Sequence, residues 1–136
     1  MKDEEIVAKA LEMVGKAYAP YSHFQVGAAV LAESGRVYGG ANVENASYGA
    51  AVCAERNAIF AAVNAGERKL SAIAVCGGKD GKVTDFCPPC GICRQVMREF
   101  CDPRTFRVII AKSAREFKTL TLESLLPESF GPEALA

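Results

Sequence analysis

The sequence predicts an α/β fold, one mixed sheet covered on both faces by helices, and three observations predict it. Helical and strand-like patterns follow one another in the order helix, hairpin, helix, strand, helix, strand, which suits a layered α/β domain. The run Ala72 to Cys76 is apolar at every position, as expected of a strand covered on both faces. Half of the 136 residues are hydrophobic, enough for the core of one domain spanning residues 1–136.

From Glu4 to Tyr18, the residues Ile6, Val7, Ala10, Leu11, Val14, Ala17 and Tyr18 form a helical stripe, which Pro20 stops. Phe24 to Leu31 and Val37 to Val43 are strand-like runs on either side of Glu33-Ser34-Gly35-Arg36, the pattern of a hairpin. Cys53 to Ala65 is an Ala-rich second helix ended by Gly66. After the strand Ala72 to Cys76, Gly77 to Pro89 reads as a polar loop. Cys90 to Phe100 reads as a third helix and Phe106 to Ala111 as a fourth strand. Phe117 to Leu122 predicts a fifth strand, and Leu122 to Leu126 a last helical turn before Pro127. Pro127 to Ala136 is expected to be a loosely held tail.

Sixteen basic residues balance sixteen acidic ones, with no block of either sign. That argues against binding to duplex nucleic acid or to a membrane surface. No apolar run approaches the ~20 residues of a membrane span. Met1 to Glu5 is acidic and polar and does not read as a secretory signal. Six cysteines in such a chain predict a cytoplasmic protein with metal-binding or core thiols in place of a disulfide framework. Cys76 and Cys101 read as inert core thiols.

The chemistry concentrates in Cys53-Ala54-Glu55 and Pro89-Cys90-Gly91-Ile92-Cys93. Cys90 and Cys93 are three apart at a helix start and share one face. Cys53 also precedes a helix, so free N–H groups and the positive dipole end lie near the sulfurs and favour thiolates. Three thiolates suit zinc and leave a fourth position open. A glutamate in a first helical turn ordinarily just complements the dipole. Beside this cluster, Glu55 reads instead as an acid/base group that is not itself a ligand. A closed four-cysteine structural site can also be written from Cys53, Cys87, Cys90 and Cys93. The rigid Pro88-Pro89 pair and the presence of Glu55 favour Cys87 as a plain loop thiol.

Further segments carry a resemblance. They are Ala19-Pro20-Tyr21-Ser22-x-Phe24-x-Val26-Gly27-Ala28, Asn42-Val43-Glu44-Asn45, Cys90-Gly91-Ile92-Cys93-Arg94-Gln95 and Leu125-Leu126-Pro127-x-x-Phe130. With Cys53-Ala54-Glu55 they resemble the zinc-dependent nucleoside deaminases, in particular the short, three-cysteine cytidine deaminase branch. The resemblance implies a three-layer α/β/α sandwich around a five-stranded mixed sheet. It also implies one zinc per subunit, bound by Cys53, Cys90 and Cys93, with Glu55 as proton shuttle. Asn42 and Glu44 would take the ribose hydroxyls, and Phe24 would pack against the pyrimidine. Ala54, Ala46 and Tyr48 would lie at the substrate, the last two near intersubunit contacts, and Phe130 would reach a neighbour's pocket. Arg56, with Gln95, would temper the thiolate charge. The assembly implied is a homotetramer with shared active sites. The reaction implied is hydrolytic deamination of cytidine and 2′-deoxycytidine, a pyrimidine-salvage step.

Independently of the resemblance, Asn42 and Glu44 are two apart, so in an extended segment both project from one face. Two rivals stay open at this stage. One is deamination of a cytosine-containing antibiotic such as blasticidin S, against which the Asn42/Glu44 pair argues. The other is a zinc-stapled interaction module without catalysis. The loop Asp85-Phe86-Cys87-Pro88 departs from the resemblance and leaves the zinc motif intact.

Overall fold

A computed structural model describes residues 1–136. The elements run α1 (Asp3–Val14), β1 (Phe24–Ala32), β2 (Val37–Ala41), α2 (Ala54–Asn64), β3 (Leu70–Lys79), α3 (Gly91–Glu99), β4 (Arg107–Ala111), β5 (Phe117–Thr121) and α4 (Leu122–Leu125). Single 3₁₀ turns lie at Tyr48–Ala50 and Pro132–Ala134. The five strands form one sheet in the order β2-β1-β3-β4-β5. Only β3 and β4 pair in parallel; the other neighbours are antiparallel, so the sheet is mixed as expected.

Alternation along β1, β3 and β4 divides the core into two layers. Ala29, Leu31, Ala72, Ala74, Cys76, Ile109 and Ala111 face one way and pack on Ile6, Val7, Ala10 and Val14 of α1. Ala28, Val30, Ile73, Val75, Val108 and Ile110 face the other way, against Ala54, Ala58, Ile59 and Ala62 of α2 and Cys93 and Met97 of α3. This is the three-layer sandwich. It also explains why β3 is apolar at every central position.

Small residues set how closely α2 sits on the sheet. A Cβ added at Gly40 would lie 2.4 Å from the Ala58 nitrogen and 2.6 Å from the Ala54 oxygen. The helix backbone therefore rests directly on β2.

Three boundaries differ from the expectation, each for a tertiary reason. α1 stops at Val14 rather than Tyr18, because Tyr18 bridges to Val43: its N–H donates to the Asn42 oxygen at 2.9 Å, and the Glu44 N–H donates to its oxygen at 2.8 Å. The same bridge ends β2 at Ala41, before Val43. β3 runs on through Gly77, Gly78 and Lys79, which pair with Val26, Gln25 and Phe24 of β1.

Polar side chains of α3 bond the chain on either side of Pro127. Arg94 donates to the Leu125 oxygen at 2.8 Å, Gln95 to the Phe130 oxygen at 3.0 Å and Arg98 to Ser129 Oγ at 2.9 Å. Arg98 also pairs with Glu133, and Gly131 is buried under its guanidinium.

Candidate metal centre and active site

The N-termini of α2 and α3 meet on one side of the sheet. Cys53 and Cys90 occupy the N-cap positions, each in extended backbone conformation. Polar caps normally satisfy the free N–H groups there; here a sulfur stands in that place. Cys93, one turn into α3, is fully buried, Cys53 is half-buried and Cys90 is exposed. The three Sγ atoms lie within 4.8 Å of one another, and Cys53 Sγ is 3.8 Å from Cys90 Sγ. A tetrahedral centre with Zn–S bonds of about 2.3 Å has an S···S edge of about 3.8 Å. The sulfurs therefore fit zinc, and the fit comes from the donor geometry itself. Cys87 lies outside the cluster, so the closed four-cysteine arrangement is not formed.

The electrostatics suit a thiolate site. Hydrogen bonding from Cys93 first, and then from Arg56, pulls the Cys53 thiol down to about 5. The same bond, and then burial, push the Cys93 thiol up. Arg56 Nη2 reaches Cys53 Sγ at 3.5 Å, and its buried Nε has no acceptor. Arg56 thus sets a positive charge against the Cys53 sulfur. Gln95 does not join it, because its amide goes to the Phe130 oxygen. Arg94 donates to the Pro89 and Leu125 oxygens, both at 2.8 Å, and so braces the loop before Cys90.

Glu55 is the one buried charged residue, only 4% exposed. Burial pushes its carboxyl up to about 7. A glutamate that merely complemented the helix dipole would stand in solvent. The cysteines outside the cluster behave as inert thiols: burial raises Cys76 and Cys101 to about 12 and Cys87 to about 11.

Asn42 and Glu44 sit where the chain leaves β2, half-buried. Asn42 bridges to the adjacent strand: Nδ2 donates to the Phe24 oxygen and Oδ1 accepts from the Val26 N–H, both at 2.8 Å. Glu44 Oε1 accepts the Tyr21 N–H at 3.0 Å and the Ser22 N–H at 3.1 Å, and Oε2 accepts the Ser22 hydroxyl. Tyr21 and Tyr48 pack edge to face with ring centroids 6.0 Å apart. Together with Ser22, Glu44, Asn45 and Ala51 they line a cleft of about 350 Å³. A larger cleft, about 660 Å³, lies at the other end of the sheet, by the starts of β3 and β4 and the C-terminus of α3. It is distant from the sulfurs along the fold and has no part in this site.

The Phe24 ring is 40% exposed and lies over the Gly77 backbone, where an added Cβ would come within 3.2 Å of Cε1. Tyr48 and Phe130 are exposed at 78% and 60%, and Ala46 is exposed. Ala54 is different: its side chain is fully buried between α2 and the sheet, which leaves only its backbone to meet a ligand. Sequence reasoning missed Ser22 and Gly77. No local pattern marks a hydroxyl that bonds a carboxylate 22 residues away.

Comparison with known proteins fits this geometry. Residues 1–110 match the cytidine and deoxycytidylate deaminase zinc-binding region. The chain is 44% identical over 133 residues to a cytidine deaminase of Halalkalibacterium halodurans, covering 98% of this chain and 97% of that one. It is 41% identical over 136 residues to a cytidine deaminase of Sporosarcina psychrophila, covering 100% and 96%. The crystal structure of a cytidine deaminase from Burkholderia pseudomallei superposes with a TM-score of 0.85 at 42% identity, over 96% of this chain and all (100%) of that one. With three clustered sulfurs and a buried glutamate in the matched region, the chain belongs to the cytidine and deoxycytidylate deaminase family.

Proposed function

We propose that this protein deaminates cytidine and 2′-deoxycytidine hydrolytically, giving the uridine product and ammonia. The observation that carries the proposal is Glu55: a buried carboxyl beside three sulfurs that suit zinc, with Cys90 exposed on one side. Bound zinc supplies Lewis acidity, which lowers the pKa of water from 15.7 to about 7.

Glu55 takes the proton released by the attacking water and passes it to ring N3, which makes C4 electrophilic. It then carries the second proton to the departing amine. One carboxyl serves both transfers because they are sequential, and a pKa near the working pH suits a group that must both accept and donate. The Phe24 ring flanks the pyrimidine.

Asn42 and Glu44 keep bonding capacity for a sugar. Glu44 accepts three hydrogen bonds and a carboxylate has about four lone-pair sites, so one hydroxyl can still donate to it. Asn42 has used one of its two N–H donors and one of the lone pairs on its oxygen.

Exposed Phe24, Tyr48, Phe60, Ile92 and Phe130 support association into a homotetramer in which Ala46, Tyr48 and Phe130 complete neighbouring sites. A stable, active monomer by light scattering would contradict that. Six free thiols support a reducing, cytoplasmic setting. No helix is long and apolar enough to cross a membrane.

The deciding experiment is Glu55→Gln. Zinc should remain at one per subunit while cytidine turnover, followed by absorbance, falls by at least about 10²–10⁴-fold. Full activity in that variant would refute the assignment.

A further inference from the structure

We infer that Ser22 is a positioning residue that fixes the sugar-binding carboxylate and the base-binding ring relative to each other. The inference rests on the roles proposed above for Phe24, Asn42 and Glu44. The Ser22 hydroxyl donates to Glu44 Oε2 and accepts the Phe24 N–H at 3.0 Å, a combination open to a group with one donor and two lone pairs. The Ser22 amide adds a second bond to Glu44, at 3.1 Å on Oε1. At the other end of Phe24, the carbonyl accepts from Asn42, whose Oδ1 takes the Val26 N–H. The result is an unbroken chain Glu44–Ser22–Phe24–Asn42–Val26. The Phe24 carbonyl is thus tied directly to Asn42, and its N–H is tied to Glu44 only through the Ser22 hydroxyl.

The backbone makes Ser22 more than one link among several. His23, between Ser22 and Phe24, has φ +60, a region that non-glycine residues seldom occupy. It is held by its N–H to the Ala19 oxygen at 3.0 Å and by the Asp80 N–H to its own oxygen. Such a turn persists only where its surroundings over-determine it. The Ser22 hydroxyl joins the two sides of that turn. The Ser22 hydroxyl first, and then its amide, hold Glu44 below the usual carboxylate range, which shows how closely the serine engages that carboxylate.

The test compares kcat/KM on cytidine with that on 2′,3′-dideoxycytidine, which lacks the hydroxyls, for wild type, Ser22→Ala, Ser22→Thr, Glu44→Gln and the Ser22→Ala/Glu44→Gln pair. Ser22→Ala should lose about ten-fold on cytidine, mostly in KM, the scale of one hydrogen bond to a charged group. Its loss on the dideoxynucleoside should be distinctly smaller. Ser22→Thr should recover most of the loss, and the double variant should be no worse on cytidine than Glu44→Gln, because the two residues act as a unit. Equal losses on both substrates, wild-type kinetics in Ser22→Ala, or additive losses in the double variant would overturn the inference alone. If Glu44→Gln itself leaves the ratio between the two substrates unchanged, the sugar assignment falls and the inference falls with it.

Discussion

The close seating of α2 on β2 makes Gly40→Ala the sharpest probe of how the fold holds the metal centre. The new Cβ would lie 2.4 Å from the Ala58 nitrogen and 2.6 Å from the Ala54 oxygen, where ordinary contact begins at 3.4 Å. The obstacle is helix backbone, so no side-chain rotation relieves it. α2 must lift by about 1 Å, and overpacking of this kind costs about 1–3 kcal/mol. The first turn of α2 carries Glu55 and follows Cys53, whereas Cys90 and Cys93 belong to α3. A lift of α2 therefore separates one sulfur and the carboxyl from the other two sulfurs. Misplacement of about 1 Å at reacting groups costs about 10²-fold in rate. The variant should fold, melt below wild type, bind zinc more weakly and deaminate cytidine about 100-fold more slowly. Gly15→Ala is the control, since its φ of −68 suits alanine and nothing lies within 4 Å of the added Cβ. Wild-type zinc content and turnover in Gly40→Ala would refute the reasoning.

Cys93→Ser should abolish stoichiometric zinc, because a buried sulfur of the cluster is lost, while Cys87→Ser should keep one zinc per subunit by metal analysis. After chelation, iodoacetamide at pH 7 should label Cys53 and spare Cys76 and Cys101, as mass mapping will show. A thiol at about 5 is then ionised, and thiols raised to about 12 stay protonated through pH 9. Labelling of Cys76 in the folded protein would contradict its burial. Gly77→Ala should raise KM for cytidine several-fold with less effect on kcat, because its Cβ crowds the Val26 side chain and the Phe24 ring from beneath.

The metal centre was legible in the sequence because each half of it is local. A cysteine directly before a helix, a glutamate two residues on and a pair of cysteines three apart have their relative placement dictated by helix geometry. The strands were legible for the same kind of reason, from alternation and turn chemistry. What stayed hidden depends on contacts between distant segments. Tyr18 leaves the helical stripe only because Val43 lies beside it, and β3 outlasts its apolar run only because Phe24 to Val26 continue opposite. The segment Leu125 to Phe130 is bonded by Arg94, Gln95 and Arg98, about 30 residues away in the chain. The resemblance implied Gln95 at the sulfurs with Arg56, but two helical positions from Cys93 turn it to another face, where its amide meets the Phe130 oxygen.

The small residues on α2 connect the architecture to the chemistry. Ala54, Ala58 and Ala62 form its sheet-facing side and are fully buried, and Gly40 lies directly beneath the first two. Leucines at these positions would bury more apolar surface and would stabilise an isolated helix–sheet contact more strongly. They would also hold α2 away from the sheet. Water would then reach Glu55, the desolvation that raises its carboxyl to about 7 would fade, and the group would be an ordinary ionised glutamate at neutral pH. Such a glutamate can accept a proton but is a poor donor to a departing amine. A site that needs one residue for both transfers therefore favours a thin helix–sheet interface over a thick one. If Glu55 acts as proposed, the alanine stripe that looks like bland core in the sequence also keeps its carboxyl out of water.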